Sequence, residues 1–159
     1  MEPTQLAYEL SVKQLNLQRE DLRNIRNQAA FAAAISGLIA TVFSSMMGSE
    51  NVSRLLVGDA FLGLNVESVL LFFTFGGSLA FAIRVQINWQ KVTFDLNPLY
   101  ILSSFDEGIT AEAIQCTLAK DADRFFNENE SVVDDAKFNL RMSLILSWSQ
   151  IPAWLLLIY

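Results

Sequence analysis

The chain has 159 residues, 52% of them apolar and 18% charged, with a formal net charge of −6. Apolar content that high and charge that sparse set it apart from an ordinary soluble domain, and an acidic balance without clustered Lys and Arg excludes nucleic acid as a primary partner. Cys116 is the only cysteine and histidine is absent, so there is no intrachain disulfide, no Ser/His or Cys/His dyad and no His-ligated zinc.

Residues 4–28 contain no proline or glycine, and Leu15, Leu22, Ile25 and Ala29 recur on one helical face that runs on into an apolar stretch. A single helix is therefore expected to emerge from the membrane, with Leu10 and Leu17 as a second apolar edge packed on protein. Residues 29–48, 64–83 and 142–159 are each near the roughly 20 residues that a helix needs to cross a bilayer. The first of them is long for a signal-peptide core and follows 28 mostly polar residues, so it reads as a retained span.

Small residues recur at intervals of four along this first span, as Ala29, Ala33, Gly37, Thr41 and Ser45, with Ala32, Ser36, Ala40 and Ser44 in the adjacent row. Such a face suits close helix contact, within one subunit or between subunits, and Gly37 is expected at the closest approach. Phe31, Leu38 and Val42 lie on the other side, which suits lipid. Residues 49–63 form the expected outer loop, where Asn51-Val52-Ser53 matches a glycosylation acceptor.

In the second span, Gly76 and Ala80 make a further small pair four residues apart, and a close neighbour is expected there. Glu67 and Arg84 stand near its two ends, within reach of headgroups, and Trp89 suits the interface beyond. The segment 84–141 turns at Asn97-Pro98 and again at Asp106-Glu107-Gly108. Thr110 then caps a helix with Glu112 in its first turn. Ile114, Leu118, Ala122, Phe125 and Phe126 follow at helical spacing, and Val133, Ala136 and Leu140 carry the pattern toward the last span. Asn127, Asn129 and Ser131 either break this helix or mark a solvated stretch.

The acidic positions Asp121, Asp123, Glu128, Glu130, Asp134 and Asp135 match no compact calcium loop. They read as a solvated face or as partners of Arg19, Arg23 and Arg26. No metal or cofactor is expected, and no phosphate loop or dinucleotide fingerprint occurs. Cys116 lacks an obvious activating group and reads as an inert thiol, so no enzyme activity is expected. In the third span, Ser143, Ser147 and Gln150 suit either a polar pore lining or hydrogen bonds between helices. Pro152 deprives the Trp148 carbonyl of its helical partner, which Gln150 or a neighbouring helix is placed to replace, while Trp154 and Tyr159 suit an outer aromatic belt.

Arg23, Arg26, Arg84, Lys137 and Arg141 gather at one set of membrane edges, whereas the first connection holds only Arg54. The positive-inside rule then puts the N-terminus in the cytoplasm and the C-terminus outside, across an inner membrane. The expected fold is an all-α membrane protein, one membrane domain with three transmembrane helices and cytoplasmic helical extensions.

Tyr8, Gln18, Leu22 and Arg26-Asn27-Gln28-Ala29 lead into the first span, and Phe126-Asn127 through Lys137 and Arg141 lead a long helix into the last. In this layout the chain resembles the small transmembrane effectors of bacterial anti-phage and related conflict systems, of the SLATT and Pycsar types, with three spans where the common form has two. The resemblance implies a cytoplasmic part that senses or oligomerises and spans that compromise the inner membrane when triggered. Its partners would be the bilayer and further copies of itself. The alternatives are a non-enzymatic anchor or subunit of a larger membrane complex and, third, a holin-like phage protein.

Overall fold

The structure, a computed structural model, describes residues 2–47, 64–87 and 92–158. The expected outer loop with its glycosylation pattern, Trp89 and Tyr159 lie outside the described residues. Four helices account for the described secondary structure: α1 (Pro3–Met46), α2 (Val66–Gln86), α3 (Pro98–Asp106) and α4 (Ala111–Ile158). Three of them, α1, α2 and α4, are long and apolar enough to cross a membrane.

Continuity is the first consequence of the sequence pattern. α1 runs for 44 residues and α4 for 48, each joining a stretch with polar faces to an apolar one without a break. Asn127, Asn129 and Ser131 do not interrupt α4, and Pro152 lies inside it. α3 was not expected from the pattern: the two breakers that bound it, Asn97-Pro98 and Glu107-Gly108, enclose a helix. Its start is well signalled, since the Asn97 side chain accepts from Leu99 N–H at 3.0 Å and Pro98 occupies the first turn, where a missing N–H costs nothing. Gly108, at φ 77°, supplies the left-handed turn that ends it.

The chain divides into two compact units. One, the polar unit, comprises Met1–Asn24 and Trp89–Asp135, and the other, the apolar unit, comprises Ile25–Asn88 and Ala136–Tyr159. Fourteen acidic and six basic residues fall in the polar unit against three and five in the apolar unit, so the net charge of −6 divides into −8 and +2.

In the polar unit the core is conventional. Leu15 and Leu22 of α1 are buried, as are Ile114, Leu118, Ala122, Val132 and Val133 of α4, the residues whose 3.6-residue spacing marks the inner faces. Gln18 donates to the Phe126 carbonyl at 3.1 Å. Asn129, 2% exposed, accepts from Thr93 N–H at 3.2 Å and donates to Thr93 C=O at 2.8 Å, tying the extended segment before α3 to α4. Arg19 makes a two-pronged pair with Asp95 at 3.1 and 3.2 Å and lies 5.7 Å from the Phe94 ring centroid. The acidic run on α4 is therefore not the partner of Arg19. Arg124 instead meets Asp121 and Glu128 along its own helix.

In the apolar unit α2 runs antiparallel to α1, as the pairing of Ser36 with Ser78 and of Arg26 with Gln86 requires, and to α4, as Ser78 beside Ser147 and Leu71 clustered with Trp154 and Leu157 require. Leu71, Ala153, Trp154 and Leu157 form its apolar core, against which Ile39, Ala40, Phe43 and Met47 pack. The outside is apolar as well: Phe31, Leu38, Phe73, Trp148 and Leu156 are all more than 60% exposed.

Candidate functional site

The apolar unit is organised round a serine cluster. Ser36 of α1, Ser78 of α2 and Ser143 and Ser147 of α4 are at most 1% exposed. The hydroxyls of Ser36, Ser78 and Ser147 form a triangle with sides of 2.7 to 2.8 Å. Ser143 donates to the Ser78 carbonyl at 2.9 Å, and Ser78 lies 3.0 Å from the Ser143 carbonyl. Hydroxyls are small enough to let three helices converge, and each finds a partner that hydrocarbon would not supply. Ser143 and Ser147 are thus spent on contacts between the helices of one chain.

Gln150 stands one turn further along α4, fully buried, with neither its amide oxygen nor its amide nitrogen hydrogen-bonded. It therefore does not replace the partner that Pro152 denies to Trp148. Ser68 Oγ and Trp154 Nε1 are buried without partners in the same unit. A buried amide left unpaired costs about 1–3 kcal/mol, so Gln150 is held at the expense of stability.

The small-residue row of the first span divides. Ala29, Ala32 and Ser36 are buried, and Ala33 and Ala40 are half-buried. Thr41 and Ser44 are exposed, and a Cβ at Gly37 would meet nothing within 4 Å. Gly37 is therefore not the point of closest approach in this chain. The reason is geometric: each four-residue step overshoots a helical turn by about 40°, so the row leaves the packed face after two or three steps. Thr41 bonds back to the Gly37 carbonyl at 2.8 Å and Ser44 to the Thr41 carbonyl at 3.1 Å. Gly37, Thr41, Ser44, Phe72, Phe75 and Trp154 border a shallow groove of about 460 Å³.

Gly76 and Ala80 are corrected in the same way, since both are exposed and no atom approaches within 4 Å of the Gly76 Cβ position. The close approach on α2 is at Gly77, whose Cβ position lies 2.9 Å from Leu146 Cδ1. The buried face of α2 runs through Leu71, Thr74, Ser78, Ala82 and Val85, to one side of the row that holds Gly76 and Ala80. Trp154 is also corrected: it is 5% exposed and stacks on Phe43 with centroids 6.0 Å apart, in the core and not in an outer belt.

The described basic residues of the apolar unit fall at one end of it. Arg84, Lys137 and Arg141 are exposed and Arg26 half-buried, its backbone carbonyl accepting from Gln86 at 2.6 Å. Arg23 is exposed in the polar unit. Among the described residues no group of three or more Cys, Asp or Glu converges as metal ligands would. Cys116 is half-buried. Compared with protein-family models, curated proteins and solved structures, the chain finds no match.

Proposed function

We propose that this chain is an integral membrane protein of the bacterial inner membrane that assembles with further copies and compromises that membrane when triggered. The observation that carries the reading is the continuity of α1 and α4, each of which joins the acidic polar unit to the apolar unit without a break. A change of packing in a cytoplasmic sensor is transmitted most directly through helices that are also the spans, because a helix shifts or rotates as one body. In this reading the N-terminus and Cys116 are cytoplasmic and the C-terminus is outside, as the basic residues at one end of the apolar unit favour. Nothing in the reading calls for catalysis or a cofactor.

A second reading is a non-enzymatic anchor or subunit of a larger membrane complex. It is favoured by α3, where Leu99, Leu102 and Phe105 are 62 to 73% exposed in the unit that carries the charge. An apolar face of that kind on a polar body marks a partner surface.

Inducible expression in bacteria with a potential-sensitive dye separates the two. The effector reading expects depolarisation within minutes of triggering or overexpression, abolished by truncating the polar unit. A membrane-located chain that leaves the potential unchanged at every expression level supports the anchor and sinks the effector.

A further inference from the structure

We infer that the basic end of the apolar unit, built from Arg26, Arg84, Lys137 and Arg141, is a binding surface for the phosphates of anionic phospholipids. The inference rests on the membrane reading above and adds to it a lipid class.

The serine triangle supplies a common level on three helices, from which depth is counted at about 1.5 Å per residue. Arg84 lies six residues from Ser78 and Arg141 six from Ser147, about 9 Å from that level. Arg26 lies ten residues from Ser36 and Lys137 ten from Ser147, about 15 Å from it. The four cations thus form two tiers about 6 Å apart.

In the opposite direction the helices run on to Met46, Val66 and Ile158, about 15–18 Å from the serine level. Between the inner tier and those ends Glu67 is the only charged residue among those described. The far ends are therefore about 24–27 Å from Arg84 and Arg141 and about 30–33 Å from Arg26 and Lys137. Against a hydrocarbon core of about 30 Å, the outer tier stands at the headgroups and the inner tier just beneath them. Arginines at that depth extend toward the phosphates, bringing the inner tier up to the outer one.

Charge complementarity selects the lipid. Among the described residues no carboxylate pairs with Arg26, Arg84 or Arg141, although the chain as a whole is acidic. The Nε of Arg26 is buried and without a hydrogen-bond partner. A zwitterionic headgroup brings its own cation to such a site, whereas an anionic one leaves its phosphate to the protein, where an arginine fork fits it best.

The test uses the full chain purified in detergent and titrated with phosphatidylglycerol or with phosphatidylcholine of the same acyl chains, binding being read by native mass spectrometry. Wild type is expected to hold phosphatidylglycerol at least tenfold more tightly, with the preference falling as salt is raised. Each of Arg84→Gln and Arg141→Gln should weaken phosphatidylglycerol about fivefold and the pair about thirtyfold, leaving phosphatidylcholine unchanged. The Arg84→Lys/Arg141→Lys pair should keep the preference, and Lys120→Gln/Arg124→Gln in the polar unit should not alter it. Equal affinity of wild type for the two lipids, or a preference that survives the double glutamine variant, overturns the inference. Recovery of the wild-type chain in the soluble fraction of lysed cells overturns the membrane reading instead, so the two failures are distinct.

Discussion

The two units invert one another. In the polar unit the buried side chains are mostly aliphatic, and its sequence carries fourteen acidic and six basic residues. In the apolar unit the surface is phenylalanine, leucine and tryptophan, and the most deeply buried side chains include Ser36, Ser68, Ser78, Ser143, Ser147 and Gln150. The contrast is the one that two different solvents would produce, water round the one unit and hydrocarbon round the other. Where water surrounds a helix, expelling apolar area drives packing. Where hydrocarbon surrounds a helix, leucine gains nothing by being inside, and helices are joined by small side chains and hydrogen-bonded polar groups, a pattern that Ser36, Ser78, Ser143 and Ser147 follow and Ser68 and Gln150 do not.

The comparison breaks most severely at its centre. Ser78→Leu adds a large side chain to a site with 0% exposure and removes one corner of the hydroxyl triangle. It should destabilise the apolar unit by about 4 kcal/mol, most of it from overpacking. Thermal unfolding in detergent against Ser78→Ala, expected to lose about 1 kcal/mol, checks this.

The next test concerns the two exteriors. Phe73 is 69% exposed in the apolar unit and Leu17 52% exposed in the polar unit. Aspartate at position 73 should cost about 3 kcal/mol of insertion, whereas aspartate at position 17 should stay within about 0.5 kcal/mol of wild type in stability. The membrane-integrated fraction and the unfolding midpoint measure the two. Equal, small effects would mean that both surfaces meet water and would end the contrast.

The third expected effect has the opposite sign. Gln150→Leu keeps the volume approximately and removes two unpaired amide atoms, so the apolar unit should gain about 2 kcal/mol. A variant more stable yet unable to depolarise cells would show that the glutamine is kept for function at a cost in folding.

Much of the fold was legible because helical periodicity and span length are local properties. The continuity of residues 4–28 with the first span, the turn chemistry at Asn97 and Gly108 and the long helix after Thr110 all follow from neighbours in sequence. What was not legible depends on partners far along the chain. A repeat of four picked out Gly37 and Gly76, but a packed face advances at 3.6 residues per turn and drifts off that row. Gly77 matters because Leu146 faces it, and Asn129 because Thr93 does; neither partner is signalled locally. Trp154 reads as an interfacial residue from its place near a span end, and only the approach of Phe43 draws it into the core.

The serine cluster resembles a fragment of ice. Ser36, Ser78, Ser143 and Ser147 bring four hydroxyl protons to six oxygen–oxygen contacts of 2.7 to 3.0 Å. Each hydroxyl donates once and accepts twice, so two of the six contacts are without a proton at any instant. The triangle can be threaded clockwise or anticlockwise with every oxygen left in place. The oxygen positions at the centre of the apolar unit thus define the cluster without dictating which hydroxyl of the triangle donates to which.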